Sequence, residues 1–343
     1  EWIIADLAIM MAGYISVPLY PQQPEDSVKY VLEHSDTKAI FVGKLDNPAE
    51  VCSSIPKDIT TIGFNYSGIN ADVMWSELLI KFDPIKESPR PLLDDIMTII
   101  YTSGTTGNPK GVVHKYRAVA YAATNVVSEF EISTKEYYLS FLPLAHVAES
   151  ALVEQTSLYS GGQVSFAESL DTFSEDLQLV SPTRFFSVPR LWTKFQMGVL
   201  EKLPQEKLGK LLRIPFVNRI IKKKVRKGLG LDKSVTVVAG AAPMPISLLK
   251  WFAKLDIHIQ EGYGMSENLA YGTVNRKENI RTGTVGQLFP GSEVKISDEG
   301  EILLKCEAMM EGYYLADDKT EEVLKDGFYH TGDAGHVDED GFI

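Results

Sequence analysis

The sequence predicts an α/β protein: two doubly wound, predominantly parallel sheets packed together, followed by a small C-terminal β-barrel-like subdomain. Three observations predict it. Short apolar runs rich in β-branched residues alternate with amphipathic helical spacings over most of the chain. A loop rich in Gly, Ser and Thr follows the most apolar run, Ile96–Tyr101. From about Thr284 the period changes to short strands separated by turn residues such as Asp298-Glu299-Gly300. A length of 343 residues allows two or three structural units. The expected boundaries are 1–160 and 161–283 for the α/β subdomains and 284–343 for the β subdomain.

The elements follow in order. Trp2–Gly13 has helical spacing and leads to a strand at Val17-Pro18-Leu19-Tyr20. Glu25–His34 is helical, Ala39–Val42 a strand, Asn47–Ser53 a helical turn, Thr60–Phe64 a strand and Val73–Lys81 a helix. After the strand Ile96–Tyr101, a helix is expected over Ala118–Phe130 and a strand over Tyr138–Leu142. His146–Tyr159 reads as a helix ended by Gly161-Gly162, with Gln163–Phe166 a strand. Arg184–Val188 is a strand stopped by Pro189, which suits the first turn of a helix Arg190–Leu200. Val235–Ala239 and His258–Gln260 flank a helix Ser247–Lys254. Glu293–Ser297 and Glu301–Cys306 belong to the final β unit.

Composition excludes several classes. Lys plus Arg total 34 against 46 Asp plus Glu, a net charge of −12, which argues against nucleic-acid binding through bulk charge. Cys52 and Cys306 are the only cysteines, so neither a disulfide framework nor a CxxC site exists. No apolar run approaches the ~18–20 residues of a membrane span. The remaining histidines (34, 114, 258, 330 and 336) lack metal-ligand spacing. The chain opens without Met in a helical pattern and closes at Asp340-Gly341-Phe342-Ile343 as a strand begins. These ends read as those of a fragment, with an upstream segment and a C-terminal domain absent.

The most informative stretch is Tyr101-Thr102-Ser103-Gly104-Thr105-Thr106-Gly107-Asn108-Pro109-Lys110-Gly111. Glycines let the backbone approach an anion with its N–H groups inward, the hydroxyls add donors, and Lys110 brings a mobile cation for a polyphosphate. It is not a Walker loop, because Gly111 rather than Ser or Thr follows the lysine.

This run resembles the signature of the adenylate-forming (AMP-binding) superfamily, which includes acyl-CoA synthetases, luciferases and peptide-synthetase adenylation domains. Four further blocks are similar to that family and stand in its order. They are Pro143-Leu144-Ala145-His146-Val147-Ala148-Glu149, Gly240-Ala241-Ala242-Pro243, Gly262-Tyr263-Gly264-Met265-Ser266-Glu267 and Tyr329-His330-Thr331-Gly332-Asp333. Ser266 stands where many relatives carry Thr.

The resemblance implies attack of a carboxylate on the α-phosphate of ATP, giving acyl-AMP and pyrophosphate, then thioester formation with coenzyme A. Anion must approach anion, so positioned cations and donors matter more than a base. It implies that Thr102, Ser103, Gly104, Thr105, Thr106, Gly107 and Lys110 hold the β- and γ-phosphates. It implies Glu267 as the Mg²⁺ ligand and Ser266 as an α-phosphate donor. Gly240, Ala241 and Ala242 would line the adenine, Tyr263 would offer it a flat face, and Gly262 and Gly264 would permit close approach. Asp333 would bind the ribose hydroxyls, and His146 would border the acyl pocket and help place the α-phosphate. By residue type alone, Tyr263 also reads as a half-buried aromatic, Asp333 as an Asx turn and His146 as a helix-start residue.

Two features bear on the acid. Ser187-Val188-Pro189-Arg190-Leu191-Trp192 resembles a block of long-chain and bubblegum-type acyl-CoA synthetases, which implies a fatty acid as substrate. Lys210–Lys227 carries eight Lys or Arg residues and no acid, with Val217, Ile220, Ile221 and Val225 on one helical face. Pro215 breaks this segment, so the helix that matters starts near Phe216. Residues 216–227 read either as a basic helix packed on the core or as a peripheral contact with an anionic membrane. A cytoplasmic protein with that peripheral contact is expected. Other acid activators (aryl, medium-chain or amino-acid) and a non-catalytic nucleotide or lipid-binding module are the alternatives.

Overall fold

A computed structural model describes residues 1–102 and 108–343. They form two compact units. One comprises Glu1–Val119, Pro143–His146 and Met310–Glu322; the other comprises Ala120–Leu142, Val147–Met309 and Val323–Ile343.

In the first unit the helix Glu25–His34 has Glu25 and Asp26 in its first turn and His34 in its last, matching the helix dipole. Its apolar positions recur at helical spacing, so Val28, Val31 and Leu32 are all buried. Burying each stabilises the unit by about 1.5–3 kcal/mol. Val28 and Leu32 pack with Val42, Ile55 and Ile59, while Val31 packs with Ile99, Tyr101 and Val113. The strands Ala39–Val42, Thr60–Gly63 and Val73–Met74 form a parallel three-stranded sheet. The expected helix Val73–Lys81 therefore begins only at Trp75, because its first two residues pair with Ile62 and Gly63.

The strand Ile96–Thr102 is present, and its partner is an antiparallel strand, Lys110–Lys115, which the local sequence pattern does not reveal. Gly312–Tyr313 adds to the far edge of Lys110–Lys115. This sheet is thus antiparallel, unlike the parallel expectation for this half. The expected strand at Val17–Tyr20 reduces to one parallel bridge between Ser16 and Thr98.

The second unit contains the largest sheet among the described residues. Its five-stranded sheet runs Gln287–Leu288, Thr273–Val274, Gln260–Tyr263, Thr236–Ala239, Arg184–Ser187. The last three strands are mutually parallel, and the first two are antiparallel additions. Pro189 begins the helix Pro189–Lys202, which places Trp192 fully inside the core. Trp192 meets Phe185, Phe195 and Phe252 edge-on, with ring centroids 5.1–5.7 Å apart. A separate parallel pair joins Tyr137–Ser140 to Gln163–Phe166.

The C-terminal strands do not close into a barrel. They form an open antiparallel sheet in the order Glu293–Ile296, Glu301–Lys305, Phe328–Ala334, Leu324–Lys325. Closure would need the two outer strands to pair, and Leu324–Lys325 is only a two-residue edge. The basic segment divides as expected into the helices Gln205–Leu212 and Val217–Gly228, with Pro215 between them and Phe216 turned to φ +67°.

Candidate active site

Most of the described site residues sit at or beside the end of a regular element. In the second unit the three parallel strands are in register near their carboxyl ends, with Ser187 opposite Ala239 and Ala239 opposite Glu261. The segments that leave these ends are Val188-Pro189, Gly240-Ala241-Ala242 and Gly262-Tyr263-Gly264. Open α/β sheets present their ligand-binding loops at this edge.

Packing at the edge is close enough to dictate residue type. A Cβ on Gly240 would stand 3.2 Å from the Gly262 carbonyl oxygen, and one on Gly264 would stand 2.7 Å from the Ala270 backbone. Ala241 occupies the left-handed region at φ +66°, an unusual place for a residue with a Cβ. Beneath these loops, burial raises the Glu261 carboxyl above its ordinary range, and bonds from the Met244 and Gly283 backbone N–H groups partly offset it.

Beyond Gly264 the chain forms a tight turn, Ser266–Asn268, and returns as Thr273–Val274, antiparallel to Gly262-Tyr263. Ser266 and Glu267 lie on this turn and are half-buried. Among the described residues no group of three or more His, Cys, Asp or Glu side chains could cage a metal. The donor chemistry at Glu267 fits Mg²⁺ only as an ion that shares its coordination with phosphate oxygens, the usual mode of this cation.

Asp333 is close to Tyr263. The Tyr263 hydroxyl donates to Asp333 Oδ2 at 2.6 Å. Burial first, then the carboxylate it donates to, push the Tyr263 phenol well above its ordinary pKa, so it remains the donor. Asp333 is exposed, and its backbone N–H is held by Thr331 Oγ1 at 3.1 Å. The preceding Gly332 takes φ +75° and donates its N–H to Glu301 Oε1 at 2.7 Å. A carboxylate has about four acceptor sites. One committed to Tyr263 leaves sites for a vicinal pair of hydroxyls.

In the first unit Thr102 and Lys110 are paired across the hairpin, and Tyr101 faces Gly111. A Cβ on Gly111 would stand 2.7 Å from Ile99 Cγ2 and 3.1 Å from the Tyr101 ring, so this register needs glycine. The Lys110 ammonium stands 4.9 Å from the Tyr313 ring centroid. Ser103, Gly104, Thr105, Thr106 and Gly107 lie outside the described residues. His146 is half-buried, its backbone N–H is bonded to the Pro143 carbonyl at 2.8 Å, and burial lowers its pKa, favouring neutral imidazole.

Sequence reasoning missed two polar residues in the second unit. Glu149 is 1% exposed, and its Oε1 accepts the Phe141 N–H at 3.1 Å. Burial pushes its carboxyl up to about 7, against the lowering effect of bonds to Ser140, Phe141 and Leu142. Asn268 is fully buried and accepts the Met265 N–H at 2.9 Å. No local signal marks Asn268, because Met265 and Asn268 lack the Ser/Thr and Glu/Gln of a capping box.

The profile of the family described as AMP-binding enzyme matches residues 1–314. A long-chain-fatty-acid–CoA ligase of Mycobacterium bovis, FadD15, is 30% identical over all of this chain and 62% of its own length. Long chain acyl-CoA synthetase 4 of Arabidopsis thaliana is 28% identical, over 99% of this chain and 59% of its own. The chain thus spans about three fifths of the length of these relatives. Among solved structures, the N-terminal domain of FACL13 from Mycobacterium tuberculosis superposes with a TM-score of 0.78 at 21% identity, covering 100% of this chain and 82% of that one. An anthranilate CoA ligase, AuaEII, gives 0.82 at 20% identity, covering 100% and 65%. These structural likenesses show the fold, and the profile match shows the family: the chain belongs to the AMP-binding enzymes.

Proposed function

We propose that the whole protein activates a long-chain fatty acid with ATP and transfers it to coenzyme A, an acid–thiol ligase reaction. In the first step a carboxylate oxygen bonds to the α-phosphorus and the bond to pyrophosphate breaks. In the second the coenzyme A sulfur bonds to the acyl carbon and AMP leaves. The observation that carries the nucleotide part is the Tyr263–Asp333 hydrogen bond beside the Ser266–Glu267 turn, with the ring and the acceptor of a nucleoside site held together.

The residue roles follow their chemistry. Tyr263 gives a flat face for adenine, with Gly240, Ala241, Ala242, Gly262 and Gly264 allowing close approach. Asp333 accepts the ribose hydroxyls and Ser266 donates to the α-phosphate. Lys110, Thr102 and the 103–107 loop neutralise the β- and γ-phosphates. His146, neutral near pH 7, donates or accepts at the α-phosphate without adding charge. Mg²⁺, held through Glu267, supplies charge neutralisation for the phosphates. The acid class rests on the long-chain fatty-acid ligases among the relatives and on Val188-Pro189-Arg190-Leu191-Trp192.

Calorimetric titration of the whole protein with MgATP tests the nucleotide assignment. Binding that Lys110→Ala and Glu267→Ala each weaken is expected. No binding, or binding indifferent to both substitutions, would overturn it.

A peripheral membrane contact is supported by one specific feature. Ile221 and Val225 of the basic helix pack against the core, whereas Phe216 is 78% and Ile220 65% exposed, beside exposed Arg219, Lys223 and Lys224. Exposed rings and branched side chains among cations suit an anionic bilayer surface, where fatty acids partition. No helix among the described residues is long and apolar enough to cross a membrane. Flotation with anionic vesicles, reduced by Phe216→Ser and by Lys223→Glu with Lys224→Glu, is the expected result. Flotation unchanged by these substitutions would remove this part of the reading.

A further inference from the structure

We infer that Asn268 is a positioning residue for the Ser266–Glu267 turn and so sets MgATP affinity. This inference rests on the reading of Ser266 and Glu267 given above. Between the paired residues Tyr263 and Thr273 the chain makes the excursion Gly264–Gly272, and its central hydrogen bonds converge on Met265 and Asn268. Asn268 Oδ1 accepts the Met265 N–H at 2.9 Å, while the Met265 carbonyl accepts N–H groups from Ala270 at 3.0 Å and Asn268 at 3.3 Å. The Asn268 carbonyl in turn accepts Tyr271 N–H at 2.8 Å. Ser266 and Glu267 are the two residues enclosed by the side-chain latch.

The turn is one the backbone would not adopt unaided. Leu269 and Ala270 are consecutive residues in the left-handed region, at φ +54° and +57°, where a Cβ crowds the following carbonyl. Glycines are required on both flanks: a Cβ on Gly264 would stand 2.7 Å from the Ala270 backbone, and one on Gly272 2.3 Å from the Tyr263 carbonyl oxygen. Such a conformation persists where its surroundings over-determine it. Asn268 is 0% exposed, so removing its side chain takes the acceptor from the Met265 N–H and leaves a gap beside the turn. Its Nδ2 has no hydrogen-bond partner among the described residues, which leaves Oδ1 as the atom that does the holding.

Glu267 must meet an ion brought by the nucleotide, and Ser266 must meet a phosphate oxygen. Displacement of their backbone by about 1 Å loses both contacts at once. Burial at position 268 makes this residue a support for the site, since it does not face the nucleotide itself.

The test is pyrophosphate exchange by the whole protein, with a thermal unfolding midpoint measured for every variant. Asn268→Ala is expected to raise the MgATP KM by about tenfold and to move half-activation by Mg²⁺ to higher concentration. Asn268→Asp keeps an acceptor for Met265 N–H and is expected to stay nearer the parent KM than Asn268→Ala. Adding Ala270→Gly to Asn268→Ala relieves a left-handed residue, so it should restore the midpoint while the KM stays high. A variant pair in which Ala270→Gly restores both would show a purely structural role and overturn the inference. So would Asn268→Ala with a lowered midpoint and an unchanged KM. If Asn268→Ala does not fold, Asn268→Ser, whose hydroxyl is too short to replace the amide oxygen, carries the same expectation and the same refutation. Loss of exchange in Glu267→Ala alongside parental kinetics in Asn268→Ala would overturn this inference alone. Retained exchange in Glu267→Ala would overturn the assignment of the turn.

Discussion

The hydroxyl of Tyr263 donates to Asp333 across 2.6 Å, joining two residues that lie 70 positions apart in the sequence. Tyr263 ends a strand of the five-stranded sheet, and Asp333 belongs to the open C-terminal sheet. The bond fixes the tilt of the phenol ring and occupies one carboxylate oxygen. On the proposed reading, this bond couples the adenine-facing ring to the ribose acceptor.

Tyr263→Phe keeps the ring and removes only this coupling. Asp333 is exposed, so water satisfies the freed oxygen and the loss is that of a net hydrogen bond, ~0.5–1.5 kcal/mol. The ATP KM should rise about three- to tenfold with little change in kcat. Asp333→Ala should exceed it, because it removes the carboxylate proposed to accept the ribose hydroxyls. Steady-state kinetics with ATP varied decides both.

The loop geometry predicts two opposite effects on stability. Ala241→Gly removes a side chain from the left-handed region and should stabilise the fold by up to about 1 kcal/mol. Gly264→Ala forces a Cβ to within 2.7 Å of the Ala270 backbone and should cost about 1–3 kcal/mol. Denaturant midpoints at constant m-value would show each shift.

Glu149 gives a pH dependence with a definite sign. Its folded-state pKa is raised to about 7, above the ordinary glutamate value, so the native state holds the proton that the unfolded state gives up. Stability from this group is full below the ordinary value and falls as pH rises toward 7, by a few kcal/mol in total. Glu149→Gln should flatten that slope between about pH 4.5 and 7. An unaltered stability–pH curve in Glu149→Gln would contradict the assignment.

The ion pair of Arg184 and Glu136, 3.1 Å apart with side chains 14% and 10% exposed, ties the start of one strand to the residue before another in the second unit. Arg184 also donates to the Phe130 carbonyl at 2.9 Å. Arg184→Met leaves Glu136 charged and poorly solvated, and should cost about 3–5 kcal/mol. Replacing both by apolar residues should cost less, which a double-mutant cycle by urea unfolding would reveal.

What could be read from the sequence follows the range of the interactions. The helix Glu25–His34 and the strand Ile96–Thr102 were legible because their burial is written in local periodicity. The strand Lys110–Lys115 was not, since it is short, flanked by lysines and stabilised by distant partners at Ile96–Thr102 and Gly312–Tyr313. Alternation in the C-terminal residues gave strands, whereas closure depends on which edges pair, so the barrel-like expectation became an open sheet. Lys110, Tyr263, Glu267 and Asp333 stand in motifs that the sequence displays. The hydrogen bond that joins Tyr263 to Asp333 is not legible there, because it links positions 70 apart. Glu149 and Asn268 escaped because their importance comes from burial, which short polar motifs do not announce.

The most direct test of the central claim is acid-dependent ATP–pyrophosphate exchange by the whole protein, with palmitate, benzoate and amino acids in competition. Exchange should be driven best by palmitate and collapse in Lys110→Ala and Glu267→Ala. Exchange driven equally well by benzoate or an amino acid would contradict the fatty-acid assignment, and no exchange with any acid would contradict the ligase reading as a whole.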